Sequence, residues 1–119
     1  SNEAVECARL NLNGTLVLRG KCSERLPQLN EWIEYRAVQR RLLFTNPPRS
    51  GMETEVLDWI VSILRPEKVA YRGCNAASLR RDLEALTAGG YRVERIRPFD
   101  FFPRTHHIET LTFLTRCEE

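Results

Sequence analysis

The sequence predicts an α/β domain with a mainly parallel sheet and helices on its faces. Two observations point there. Short apolar runs of strand character alternate along the chain with segments of helical period. The length of 119 residues matches one domain with one core. With 42% hydrophobic and 29% charged residues, the composition is that of a globular chain and excludes wholesale disorder.

The elements follow in order. Glu3–Asn11 reads as a short helix and Thr15–Arg19 (TLVLR) as a strand. Ser23 is placed to cap a helix running to about Arg36, with Leu26, Leu29 and Ile33 at spacings of three and four. Leu42–Thr45 (LLFT) reads as a strand, ended by Asn46–Gly51 (NPPRSG), where two prolines remove donors and glycine closes the segment. Glu53–Leu64 is the clearest helix, with Val56, Leu57, Ile60, Ile63 and Leu64 on one stripe and Pro66 as its stop. Lys68–Tyr71 is a strand. Ala77–Ala88 is a helix with Leu79, Leu83 and Leu86 on one face and Gly89-Gly90 at its end. Tyr91–Ile96 and Thr110–Thr115 are strands, separated by the aromatic and proline-rich loop Pro98–His107.

Composition narrows the function classes. Apolar runs such as Trp59–Leu64 are far too short to cross a bilayer, and the first residues lack the basic, apolar, small order of a secretory signal. A cytoplasmic location and no membrane partner are expected. The net charge is +2, yet residues 65–104 hold nine basic and five acidic side chains. Of the 18 basic residues 16 are arginine, whose planar fork suits phosphate and stacks on bases. From composition alone, a solvated surface and a GC-rich genome are the favoured explanation. The cysteines at 7, 22, 74 and 117 have no C-x-x-C spacing, so neither a zinc ribbon nor a redox pair is indicated. Free, mostly buried thiols are expected.

In open parallel sheets ligands bind at the carboxyl ends of the strands. That rule selects NPPRSG, after Leu42–Thr45, and RGCNAAS, after Lys68–Tyr71. Cys74 follows a strand and Gly73 and precedes a helix whose cap is Asn75. Aligned N–H groups there, with Arg72 nearby, favour a nucleophilic thiol; a buried structural cysteine is the plain alternative. Glu109 lies at the mouth of the last strand, where a carboxylate beside an apolar loop can serve as a base or be an ordinary strand residue. His106 and His107 are adjacent, would point to opposite faces of a strand, and form no metal pair. Asn46-Pro47-Pro48 makes either a rigid wall beside a ligand or a simple turn.

Taken together, these segments resemble the S-adenosylmethionine-dependent RNA uracil-5-methyltransferases, which modify ribosomal or transfer RNA. NPPRSG is similar to the family's D-P-P-R-x-G. Tyr71–Asn75 with Leu79 and Asp82-Leu83 is similar to Y-x-S-C-N-P…L..D-L. Gly90-Tyr91 and Pro98–Pro103 are similar to G-Y…P-F-D-x-F-P, and Thr105–Glu109 to T-x-H-x-E. The resemblance runs from about Glu3 to Arg116 and is strongest after Asn46. Asn-Pro-Pro is also similar to amino-group methyltransferases, but their motif ends in an aromatic residue where this chain has Arg49.

The resemblance implies an incomplete class I, Rossmann-like methyltransferase fold with an antiparallel last strand. Cys74 takes the place of the nucleophile that attacks uracil C6, and Glu109 that of the base that removes the C5 proton. Asn46, Pro47, Arg49 and Asn75 line or order the substrate or cofactor side. RNA would be the partner, with the target base flipped out of its stack. Phe99–Phe102 and the arginine surplus would suit that task, although packing in the core accounts for at least two of the phenylalanines. The motif aspartate is Asn46 here, the serine before the cysteine is Gly73, the proline after Asn75 is Ala76, and the residue expected to contact the cofactor's adenine falls near Lys21. The chain has no Gly-x-Gly segment. Residues 1–119 are therefore expected to be the C-terminal portion of the catalytic domain, without its first two strands and Gly-rich loop. Such a fragment should bind S-adenosylmethionine weakly or not at all, transfer no methyl group alone, and self-associate through exposed strand edges. A degenerate, non-catalytic RNA-binding or scaffold domain is the alternative.

Overall fold

The computed structural model describes residues 2–11, 16–36, 40–99 and 108–117. The chain forms two compact units, Ser1–Ala37 and Val38–Glu119.

The first unit holds two helices, α1 (Asn2–Asn11) and α2 (Cys22–Arg36). No residue of α1 is buried. On α2 the expected spacing holds, with Leu26 and Leu29 half-buried and Ile33 buried. The helix starts at Cys22, one residue before the position expected for its cap, Ser23. The expected strand Thr15–Arg19 is not found: residues 16–19 have no regular structure, and Thr15 lies outside the described residues. A strand exists only through its ladder, and among the described residues none pairs with this segment.

The second unit is a four-stranded sheet with helices. Its elements are β1 (Leu42–Thr45), α3 (Thr54–Trp59), β2 (Lys68–Gly73), α4 (Ala76–Ala88), β3 (Tyr91–Phe99) and β4 (Glu109–Arg116). Between α3 and β2 the helix widens into a π-helical turn, Ile60–Leu64. The strand order is β1-β2-β4-β3. β1 and β2 are parallel, and β4 lies antiparallel between β2 and β3. Thus β1, β2 and β3 share one direction and the last strand opposes them, as expected.

Alternation along the strands sets the core. Val69 and Tyr71 on β2 and Thr112 and Leu114 on β4 are buried and share one face through the pairs Val69↔Leu114 and Tyr71↔Thr112. Helix α4 covers this face, since Tyr71 donates its hydroxyl to Asp82. Val56, Leu57, Trp59, Ile60, Leu86 and Tyr91 add to the core. Ile63 departs from the expected stripe and is 53% exposed. The cause is the π turn, in which Arg65 N–H donates to Ile60 O at 2.8 Å, five residues back. The wider turn moves the buried side away from position 63. Arg65 then adopts φ 46°, and Pro66 follows.

β3 is longer than expected and takes Pro98 and Phe99 out of the aromatic loop. Proline is tolerated there because β3 is an edge strand. The register slips between Val93 and Arg95. The rest of the aromatic loop, with His106 and His107, lies outside the described residues. On the second face of the sheet, Leu42 and Phe44 of edge strand β1 are 67% and 64% exposed. An open concavity of about 710 Å³ lies there, lined by Leu42, Phe44, Lys68, Ala70 and Phe113 among others. The expectation of mostly buried thiols is corrected: Cys7, Cys22 and Cys117 are exposed and Cys74 is half-buried. All three exposed cysteines sit on surface helices or past the last strand, where no core is available to cover them.

Candidate active site

Three segments meet at one end of the sheet. The Asn46–Gly51 loop leaves the carboxyl end of β1, Cys74 leaves the carboxyl end of β2, and Glu109 opens the antiparallel β4. The register joins the last two. Arg72 pairs with Leu111 and Gly73 with Thr110, the last pair of the ladder, and Cys74 and Glu109 are the residues that flank it. Phe99, at the end of β3, pairs with Glu109 from the other side.

The turn that presents Cys74 has a clear local cause. Asn75 is extended, with φ −123° and ψ 122°, and its Oδ1 accepts hydrogen bonds from the N–H groups of Ala77 and Ser78 at 3.0 and 3.1 Å. It therefore caps α4, as its sequence position indicates. Gly73 is buried, and a Cβ there would lie 3.0 Å from the Tyr71 ring and in ordinary contact with Leu79. A serine at this position would ask the ring to give by a few tenths of an ångström.

Glu109 is half-buried, and Arg72 Nε donates to its Oε2 at 3.0 Å. The sequence sets Arg72 near Cys74; the structure engages it with Glu109 as well. The two side chains share a sheet face because they lie one pleat apart diagonally across the β2–β4 ladder. Arg72 thus orients the carboxylate at this end of the sheet.

Helix α4 holds the Asn46–Gly51 loop. Ser78 Oγ donates to Arg49 O at 2.7 Å, and Arg81 Nη2 to Ser50 O at 2.8 Å and Met52 O at 3.2 Å. Met52 N–H donates to Asp82 Oδ2 at 2.8 Å. Gly51 has φ 86°, and a Cβ there would come within 2.5 Å of Arg81 Nη2 and 2.8 Å of Asp82 Oδ2. Glycine is needed both for the left-handed backbone and for the close approach to α4. Asn46 and Arg49 are exposed and Pro47 is half-buried, so the loop offers polar side chains on a stiff backbone. Asp82 had drawn notice only as a motif letter. Its signal was its place in the Leu79–Leu86 stripe, three residues after one leucine and four before the other.

Among the described residues, no group of three His, Cys, Asp or Glu side chains is placed to hold a metal ion. Toward a cofactor such as S-adenosylmethionine, the loop has hydrogen-bonding groups in the exposed Asn46 and Arg49. The chain has no Gly-x-Gly turn to hold the rest.

Comparison with known proteins gives the fold and the family. The fold is that of the methyltransferases: the crystal structure of the M1.HpyAVI–SAM complex superposes with a TM-score of 0.55 at 13% identity, covering 76% of this chain and 50% of that one. A second crystal structure of M1.HpyAVI gives 0.54 at 12% identity, covering 82% and 53%. The chain belongs to the tRNA (uracil-5-)-methyltransferase family, whose model matches residues 21–117. It is 37% identical over 119 residues to an uncharacterized RNA methyltransferase of Listeria innocua, covering 96% of this chain and 25% of the relative. A counterpart from Porphyromonas gingivalis is 41% identical over 123 residues, covering 98% and 26%. The chain spans about a quarter of the length of these curated relatives.

Proposed function

We propose that this chain is the C-terminal part of the catalytic domain of an RNA methyltransferase that methylates C5 of uridine in ribosomal or transfer RNA. The observation that supports it best is topological: Cys74 follows the carboxyl end of β2 and Glu109 opens the antiparallel β4 paired with it, at the sheet end where the Asn46–Gly51 loop leaves β1. Uracil C5 is a poor nucleophile until C6 has been attacked. The Cys74 sulfur adds to C6, and the electron pair of the C5–C6 bond moves to give an enolate with carbanion character at C5. S-adenosylmethionine, when bound, supplies the electrophilic methyl group. Glu109 then takes the C5 proton, the C5–C6 double bond re-forms, and the Cys74 thiolate leaves. Arg72 holds the Glu109 carboxylate for that transfer, and Asn75 fixes the turn that carries the sulfur. Asn46 and Arg49 contact the base or the cofactor from the loop. Arg92, Arg95 and Arg97, all exposed on β3, suit an RNA backbone.

The larger part of the cofactor site and the RNA-binding modules would belong to the rest of the longer protein. Residues 1–119 alone would then transfer no methyl group, and titration calorimetry would find weak or no S-adenosylmethionine binding. The test of function uses the longer protein and RNA containing 5-fluorouridine, whose C5 fluorine cannot leave as a proton. A covalent RNA adduct mapping to Cys74, lost in Cys74→Ala, supports the reading. The second reading, a non-catalytic RNA-binding domain, draws on Asn46, an amide where the family motif has an acid. RNA binding with no adduct, and no effect of Cys74→Ala, would select it.

A further inference from the structure

The buried carboxylate of Asp82 has no part in the chemistry described above, yet it sits at the junction of all the pieces. It is fully buried. Its Oδ2 accepts from Met52 N–H at 2.8 Å and from the Tyr71 hydroxyl. Its Oδ1 accepts from Arg81 Nη2 and Nε at 3.1 and 3.3 Å. Tyr71 is three residues before Cys74 on β2, and Met52 closes the Asn46–Gly51 loop. Arg81, steered by Asp82, spends the same Nη2 on the carbonyls of Ser50 and Met52. One carboxylate therefore ties strand, helix and loop together.

We propose that Asp82 is a positioning residue for the methyl-transfer site: it sets the Asn46–Gly51 loop in register with the Cys74 turn. The inference rests on the function proposed above. The reason is geometric. Addition of the Cys74 sulfur to C6 needs reacting atoms about 3–3.5 Å apart, and a misplacement of about 1 Å costs on the order of a hundredfold in rate. The loop is anchored through its backbone to α4, by Ser78, Arg81 and Asp82. An uncharged amide at position 82 could still accept from Met52. Its –NH₂ group would then face the Arg81 guanidinium, and the hold on the Ser50 and Met52 carbonyls would be lost. The charge, and not only the shape, is what keeps the loop in place.

The test uses the longer protein with RNA and S-adenosylmethionine. Asp82→Asn should lower kcat by about a hundredfold, leave KM for the cofactor within threefold, and leave the rate of Cys74 alkylation by iodoacetamide unchanged. Ser78→Ala, which removes a single tether and spares the buried carboxylate, should lower kcat by about three- to tenfold with the same split. Glu84→Ala, on the exposed side of α4, is the control at the wild-type rate. Wild-type kcat in both Asp82→Asn and Ser78→Ala would overturn the proposal. So would a fall in kcat matched by equal losses in KM and thiol alkylation, which would mark a merely structural role. If Asp82→Asn does not fold, Ser78→Ala decides alone. If the wild-type protein forms no adduct with 5-fluorouridine RNA, the functional reading fails. Positioning is then judged by hydrogen exchange of the Met52 amide, faster in Ser78→Ala if the clamp is real and unchanged if it is not.

Discussion

Gly51→Ala probes the packing that builds the site. Two costs follow from the structure. The backbone at φ 86° is left-handed, which costs an L-residue about 1–2 kcal/mol. The new Cβ would also lie 2.5 Å from Arg81 Nη2, the atom that bonds the Ser50 and Met52 carbonyls. Displacing it forfeits hydrogen bonds from a charged donor, about 1.5–3 kcal/mol. The expected destabilisation is about 2.5–5 kcal/mol, a large share of the stability of a small domain. Urea denaturation followed by circular dichroism measures it, as a lower midpoint at unchanged slope. In an Arg81→Ala background the same substitution should cost less, because the displaced group is already gone. A Gly51→Ala protein within about 0.5 kcal/mol of wild type would refute the reasoning. An undiminished cost in the Arg81→Ala background would refute the part assigned to Arg81.

Three further outcomes follow from other parts of the molecule. The hydroxyl of Thr112 is buried with no hydrogen-bond partner among the described residues, so Thr112→Val should stabilise the protein by about 1 kcal/mol; a lower melting temperature would show that the hydroxyl is satisfied. Burial raises the Tyr91 hydroxyl above the ordinary tyrosine value, and burial with the bond to Asp82 pushes the Tyr71 hydroxyl well above it. Their contribution is fully present below about pH 10, where the unfolded chain begins to ionise, and is lost as pH rises, by up to about 1.4 kcal/mol per pH unit for each. Tyr91→Phe should flatten that alkaline slope, and an unchanged slope would count against the assignment. Residues 1–119 alone should associate through edge strand β1, where Leu42 and Phe44 are exposed. Light scattering should show this association weakened in Leu42→Lys/Phe44→Lys, whereas a wild-type monomer at all concentrations would contradict it.

Much of the second unit was legible in the sequence because its signals are local. Asn75 before an amphipathic run announced the start of α4, and the proline pair after Leu42–Thr45 marked the end of β1. What escaped depended on partners distant in sequence. Thr15–Arg19 has strand-like residues, but strand character is realised only through a neighbour. Ile63 fits a helical stripe until the turn widens to a π turn, which no spacing rule foresees. Cys74, Asn75, Asn46, Pro47, Arg49 and Glu109 all fall at one end of the second unit's sheet. The Arg72–Glu109 pair spans 37 residues of sequence, so only the β2–β4 register could reveal it. Asp82 was visible as an acid inside a leucine stripe, a position that asks for buried partners, but those partners became clear only with the loop in place.

The proposed division of labour between the Cys74 sulfur and the Glu109 carboxylate is open to one decisive trial. The longer protein carrying Glu109→Gln is given unmodified RNA and S-adenosylmethionine, and the products are resolved by mass under denaturing conditions. Stalled proton removal should leave a methylated RNA covalently bound through Cys74, and the double variant Cys74→Ala/Glu109→Gln should show none. Free methylated RNA released at the wild-type rate by Glu109→Gln, or a bond to any other residue, would contradict the pairing of these two side chains in one reaction.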